Sequence, residues 1–250
     1  MSHAYPSFQP HYFAELARLE SRNFWFRARN RLIVWALGRY FAGARSFLEI
    51  GCGTGFVLAG IAAARPDLAL AASDVHSEGL AFAARRVPQA RFYQGDARGI
   101  AFAGEFDVVG AFDVLEHITE DDAVLRTMHR ALRPGGGVLV TVPQHPALWS
   151  AQDEHAGHRR RYTRAELTAK LGAAGFTDIR ATSFVSLLLP LMAAARRRKR
   201  AGADPFAELR IGGAANLLLE KVLDVERLLI RLGVSFPFGG SLLAAARKAA

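Results

Sequence analysis

Glycines at 51, 53 and 55 alternate along Phe47-Leu-Glu-Ile-Gly51-Cys-Gly53-Thr-Gly55, behind a short apolar run that carries one carboxylate, Glu49. Glycine takes positive φ at little cost and lets a ligand lie against the main chain, so the segment reads as strand, sharp turn and helix start. Phe56 to Ala64 continues with helix-compatible residues. A dinucleotide-binding turn is written G-x-G-x-x-G; the alternating spacing here, with an acid two residues ahead, changes the expected ligand. Further along, acids close successive apolar runs at Asp74, Asp96 and Asp113. Histidines at 145, 155 and 158 share one long loop with Asp153 and several arginines, a set able to do acid/base work.

The E-x-G-x-G-x-G string resembles the first motif of the class I S-adenosylmethionine-dependent methyltransferases. Their cofactor carries a sulfonium and an amino acid end in place of a pyrophosphate, and a carboxylate is tolerated near such a cation. A glycine turn that binds nothing is the alternative. The resemblance implies a cofactor set of Glu49, Gly51, Cys52, Gly53, Gly55, Asp74, Val75, Asp96, Ala97, Asp113, Val114 and Leu115. Asp74 can accept both ribose hydroxyls or merely cap the next helix. In the family an acid at the position of Asp96 accepts the adenine amino group, with the Ala97 amide facing a ring nitrogen. Asp113-Val-Leu-Glu116-His117-Ile118 is similar to the fourth motif of the small-molecule branch, whose loop in the family lines the methionine and adenine end.

Methyl transfer from a sulfonium is an in-line displacement, driven mainly by positioning and electrostatics. A general base is needed only for a protonated acceptor. Residues 143–162 supply the candidates His145, His155 and His158, together with Trp149, Arg160 and Tyr162 as substrate contacts. A loop of this length tends to be functional. A structural or substrate-orienting loop is the alternative. His155 and His158 with one aspartate lack a strong metal-ligand spacing, so no metal is expected. Asn23-Phe-Trp25-Phe-Arg27-Ala-Arg29 adds Trp25 and Arg27, either beside the cofactor mouth or in a hydrophobic clamp on the sheet. Several members of the resembled family that pair such a segment with a D-x-x-x-G-H-x-R-x-Y-like loop, here Asp153 to Tyr162, act on small or lipid-linked acceptors. The resemblance covers roughly residues 22–182.

The elements that must position these residues alternate. Strands are predicted at Phe47–Ile50, Leu68–Ser73, Gln89–Gln94, Phe106–Phe112, Val138–Val142, Phe176–Phe184 and Gly240–Arg247. Helices are predicted over 11–42, 77–86 with Ser77 as a cap, 119–132 stopped by Arg133-Pro-Gly-Gly-Gly137, 163–174 with a Thr163/Glu166 capping box, and 216–232. The fold class is α/β: a Rossmann-like, seven-stranded, mostly parallel sheet with helices on both faces and an antiparallel last strand. One domain of residues 1–250 is expected, with a helical cap (1–43), a cofactor-binding core (44–184), a helical insertion (185–236) between the last two strands, and the final strand (237–250).

A chain of 250 residues with 51% hydrophobic content suffices for one large core. The single cysteine, Cys52, allows no internal disulfide, and the N-terminus lacks the pattern of a signal peptide. A cytoplasmic location follows, at the inner face of the membrane if the insertion binds there. Net charge is +9, concentrated in Arg196–Arg200 and His158–Arg161, which favours anionic partners or is simply a solvated face. The apolar stretch 184–195 is too short to span a bilayer. With the basic run behind it and Leu218, Val222, Val225, Leu229 and Leu232 on one helical stripe, residues 186–232 are a candidate peripheral membrane contact. A lid over the acceptor pocket and a dimer interface are the alternatives. The expected activity is S-adenosylmethionine-dependent methyl transfer to a small-molecule or lipid-linked acceptor. RNA methylation is suggested by charge, but Asp113-Val-Leu-Glu is not the Asn/Asp-Pro-Pro-aromatic string of base-amine methylating enzymes. A non-catalytic cofactor-binding module is the third reading.

Overall fold

The computed structural model describes residues 12–198 and 210–250, with the side chains of 196–198 set aside. Residues 1–11 and the side chains of the basic run Arg196–Arg200 therefore lie outside what is described. Two helices, α1 (Tyr12–Leu19) and α2 (Phe24–Tyr40), precede β1 (Ser46–Ile50), α3 (Phe56–Ala64), β2 (Ala69–Asp74), α4 (Ser77–Arg86), β3 (Arg91–Gln94) and β4 (Phe106–Phe112). The chain continues through α5 (Asp121–Ala131), β5 (Leu132–Pro143), α6 (Ala151–Ala156), α7 (Arg164–Ala173), β6 (Phe176–Phe184), α8 (Leu189–Arg198), α9 (Gly213–Arg231) and β7 (Ser241–Lys248).

The strands form one sheet in the order β3-β2-β1-β4-β5-β7-β6, with β7 antiparallel to both neighbours. Apolar runs such as Phe47-Leu48 and Val108-Val109 are buried on both faces, as parallel strands covered by helices must be. Alternate residues feed two cores: Phe47 packs with Ile33, Leu37 and Leu58 on one face, and Leu48 with Leu125, Met128 and Leu167 on the other. Chain order reverses at β1, which lies between β2 and β4. A crevice opens there at the carboxyl ends of the strands.

Four local expectations change. The predicted helix over 11–42 breaks after Leu19, because Asn23 caps α2 and its Oδ1 accepts from the Trp25 amide at 2.9 Å. Ser77 does not cap α4; His76 holds that position, and the Asp74 carboxylate accepts its amide at 2.8 Å. The Arg133–Gly137 stretch stops α5 but enters β5, where a register shift between Phe106 and Val108 absorbs it. On α9 the buried positions are Glu220, Leu223, Glu226 and Ile230, while Leu218, Val225 and Leu232 of the predicted stripe are more than half exposed. Ion pairs and backbone hydrogen bonds hold the two acids inward. Glu220 meets Arg31 at 2.7 Å and Arg27 at 3.2 Å, and Glu226 accepts the Ser186 and Leu187 amides at 2.6 and 2.8 Å.

The cap and the insertion are joined. Asn216 of α9 accepts from the Phe24 amide at 2.8 Å and donates to the Arg22 carbonyl at 2.9 Å, stitching α9 to the turn between α1 and α2.

Candidate cofactor and acceptor site

A cavity of about 710 Å³ opens at the ends of β1, β2 and β4, roofed by side chains from α1, α2, α6 and α8. Its floor is the glycine loop. The Ser73 carbonyl accepts from the Gly51 and Cys52 amides at 2.8 and 3.0 Å, which folds the loop back over the end of β2. Asp74 accepts the Gly53 amide on Oδ2 and the His76 amide on Oδ1, each at 2.8 Å, so one buried carboxylate fixes both loops of the crevice. A carboxylate has about four acceptor positions and retains capacity for a ligand. Gly51 has φ +69°, and a Cβ there would meet Val114 at 2.5 Å. At Gly53 (φ +51°) a Cβ would reach only the Phe13 ring, at 3.9 Å, leaving the backbone open to the cavity.

Charge is dense beneath this floor. Glu49 is buried in the wall, and its Oε2 has no hydrogen-bond partner among the described residues. Burial pushes its carboxyl up to about 8, against the opposing pull of Arg29. The Arg29 guanidinium donates to Asp113, lies 4.5 Å from the Trp25 ring centroid, and is drawn down by burial to about 10. Glu20, held by Thr54 and Arg86, completes this end of the cavity. Asp113 itself sits at φ +58°, a left-handed conformation that costs of order 1–3 kcal/mol in a non-glycine residue and is found at ligand clamps. Its amide donates to the Thr141 carbonyl at 2.9 Å, which fixes the end of β4.

The other half of the cavity is built from the 3-10 turn Leu115–His117 and from α6 with the strand-like stretch behind it. Glu116, His117, Asp153, His155, His158 and Arg161 all line it. Asp153 closes a capping box with Ser150 and accepts from Arg161 Nε at 2.8 Å. The same oxygen faces His158 Nδ1 at 2.9 Å. Burial alone would raise Asp153; the bonds from His158 and Arg161 outweigh it and hold it at about 2. Burial, reinforced by His158, draws His117 down to about 3, whereas burial pushes Glu116 up to about 8.

Of the sequence-predicted residues, Trp25, Glu49, Gly51, Cys52, Gly53, Asp74, Val75, Ala97, Asp113, Val114, His155 and His158 meet in the cavity wall. Cys52 is buried, and burial drives its thiol well up, which makes it a packing residue. The remaining candidates fall elsewhere. Gly55 (φ +74°) packs on α4, where a Cβ would meet Ala83 at 2.8 Å. The Asp96 carboxylate turns to the Arg98 guanidinium at 2.6 Å and is not part of the wall. Leu115 faces the second core. His145 stacks on Phe238 outside the cavity. Trp149 is 39% exposed, Arg160 is bonded to the Thr119 carbonyl at 2.8 Å, and Arg27 is drawn off by Glu220. Tyr162 is wholly buried outside the cavity wall and donates to Asp121 at 2.6 Å, which anchors the loop.

Arg29 and Glu20 are charged wall residues that the sequence reading did not single out, whereas Glu116, His117 and Asp153 were noted in their motifs without an assigned site role. Arg29 was within reach: it is three residues beyond Phe26, on the buried face of α2, whereas Arg27 is turned outward.

Residues 47–136 match the family model described as a methyltransferase domain. A probable S-adenosylmethionine-dependent methyltransferase of Mycolicibacterium smegmatis is 33% identical over 162 residues, 63% of this chain and 61% of that protein. Trans-aconitate 2-methyltransferase of Deinococcus radiodurans is 33% identical over 132 residues, 52% of this chain and 47% of that protein. The solved Haemonchus contortus phosphoethanolamine N-methyltransferase 2, in complex with S-adenosyl-L-methionine, superposes with a TM-score of 0.61 at 21% identity, covering 88% of this chain and 53% of that one; it shares the fold. The chain spans about three fifths of the length of the curated relatives it matches over most residues.

Proposed function

We propose that this chain is a class I S-adenosylmethionine-dependent methyltransferase and that it transfers a methyl group from S-adenosylmethionine to a small-molecule acceptor. The observation that carries this reading is the pairing of Asp74 with the open backbone of Gly53 at the crevice beside β1. The residues present fit the cofactor. Asp74 suits the ribose hydroxyls, and the orphaned Glu49 oxygen lies beneath a site for a cationic ligand. Ala97 and Val75 border the adenine side, and Val114 borders the opposite side. The adenine role expected of Asp96 passes to backbone groups at Gly95 and Ala97, since Arg98 holds the carboxylate.

Bound there, S-adenosylmethionine supplies a methyl group on a positively charged sulfur. The chain's own work is to position and to exclude water. Phe13, Trp25, Phe26 and Leu188 close an apolar roof over the cavity, and a dry site strengthens every electrostatic contact within it. An acceptor that carries a proton must lose it, and His155 and His158, in the wall of the second half, are placed to take it. A small acceptor is supported by the relative named as a trans-aconitate methyltransferase. A lipid-linked acceptor is favoured by one further observation. Leu191 of α8 both lines the cavity and is 57% exposed, so apolar surface runs from the mouth to the outside.

Calorimetric titration of S-adenosylmethionine and its demethylated product, with NAD as a control, tests the cofactor. Dissociation constants on the order of 10 µM are expected for the first two. Asp74→Ala is expected to weaken both at least tenfold, with Asp74→Asn falling in between. A flat titration of folded wild type, or a preference for NAD, overturns the reading.

A further inference from the structure

We propose that Glu116, His117 and His158 form a binding site for one divalent first-row transition cation, set in the acceptor half of the cavity. The three side chains each offer a donor atom, and those atoms lie within 4.8 Å of one another. Two come from adjacent positions on the turn after β4, and the third from the stretch after α6. The fold thus brings together residues more than forty positions apart.

Three observations, independent of this proximity, point to a cation. First, Glu116 is 0% exposed, yet neither carboxylate oxygen has a hydrogen-bond partner among the described residues. An unpaired buried carboxylate is costly and is relieved by a bound metal. Second, His158 is arranged as metal-binding histidines are. Its Nδ1 faces the Asp153 carboxylate at 2.9 Å, which itself is fixed by Arg161, and this pairing leaves Nε2 with a free lone pair turned toward Glu116, 3.9 Å away. A carboxylate behind the imidazole sets the tautomer and raises the ligand's basicity. Third, all three donors line a cavity, so further coordination positions are open to small molecules. The rings of His117 and His158 stand edge to face with centroids 4.8 Å apart, close enough to converge on one ion after a small adjustment.

Two imidazoles and one carboxylate favour zinc, cobalt, iron or manganese over magnesium, which prefers oxygen donors and its own waters. The role of the ion rests on the methyl-transfer reading. An acceptor oxygen that takes an open position is held and becomes a stronger acid, shedding its proton to His155 or to solvent. That favours acceptors with a hydroxyl or carboxyl group able to ligate, and it reassigns His158 from base to ligand.

The test needs neither cofactor nor acceptor, so it stands or falls apart from the methyltransferase reading. Full-length protein stripped with a chelator would be titrated with zinc by calorimetry and with cobalt by visible absorption. One ion per chain is expected, with the cobalt spectrum showing nitrogen and oxygen ligands and no thiolate band. His158→Asn and Glu116→Gln are expected to weaken binding at least tenfold. Asp153→Asn should weaken it by about 10- to 100-fold, since it only orients a ligand. His129→Asn, remote from the site against Phe176, serves as the control and should bind as wild type. Circular dichroism checks that each variant folds, and two ligand variants keep the test alive if one does not. No saturable binding by wild type, or binding that His158→Asn and Glu116→Gln leave unchanged, overturns the proposal.

Discussion

A single guanidinium organises the interior of the site. Arg29 is buried, meets Asp113 directly and feels the charges of the buried acids Glu20, Glu49 and Glu116, of which Glu20 is also paired with Arg86. Burial raises the carboxyls of Glu20, Glu49 and Glu116. Glu49 is pushed by burial from 4.5 to about 8, so its contribution to stability is complete below pH 4.5 and is lost as pH rises through about 8. Asp153 runs the other way: held at about 2, it stabilises above its ordinary 3.8 and loses that contribution as pH falls through about 2. The melting temperature of the ligand-free protein should therefore fall between 4.5 and about 8, and Glu49→Gln should flatten that slope. Parallel melting-temperature curves for the two proteins would show that Glu49 is not the group responsible. Glu49 and Asp74 were legible in the sequence because motif spacing marks them. Arg29 was not, because its importance lies in a partner 84 residues away that only the fold brings into register, and Asp153 was seen beside the histidines without its bond to Arg161.

Among the elements, the glycine loop separates two uses of one residue type. Gly53 is open to the cavity, whereas Gly55 is pressed on Ala83 of α4. Gly55→Ala should cost about 1–3 kcal/mol from backbone strain and close contact together, seen as a lower melting temperature. Gly53→Ala should cost about 1 kcal/mol of stability and show its larger effect in the cofactor titration. Equal losses of stability in the two variants would contradict this division. The elements most legible in the sequence were those whose ends carry chemical punctuation. The α4 boundaries, the runs Phe106–Phe112 and Phe176–Phe184, and the Thr163/Glu166 box are found where expected. Where punctuation was ambiguous, tertiary contacts decided. Asn23 caps α2 from inside an apparently continuous helix, and a glycine run that should end a helix also pairs as strand beside β4. The inversion of α9 has the same origin, since periodicity ranks Leu above Glu for burial and cannot see Arg31 waiting across the interface.

For the molecule as a whole, the consequence of that inversion is an unpartnered apolar face. Leu217, Leu218, Val225, Leu228 and Leu232 are each more than half exposed along α9, with Lys221 among them. No described helix is long and apolar enough to cross a membrane. If the acceptor is lipid-linked, this face should bring the protein to vesicles containing anionic lipid, and Leu218→Glu with Val225→Glu should abolish co-sedimentation without changing cofactor affinity. Retention by neutral and anionic vesicles alike, or none by either, would leave the small-molecule reading alone. The strand order carries a different lesson. β6 bonds to the rest of the sheet only through β7, which is the later of the two in sequence yet lies inside it, between β5 and β6. During synthesis, β1 to β5 can assemble as they emerge, but β6 must wait, unpaired, while more than fifty residues of insertion and then β7 are made. The ribosome thus holds a half-finished sheet with β5 as a bare edge, and β7 has to enter as a wedge before the fold is complete.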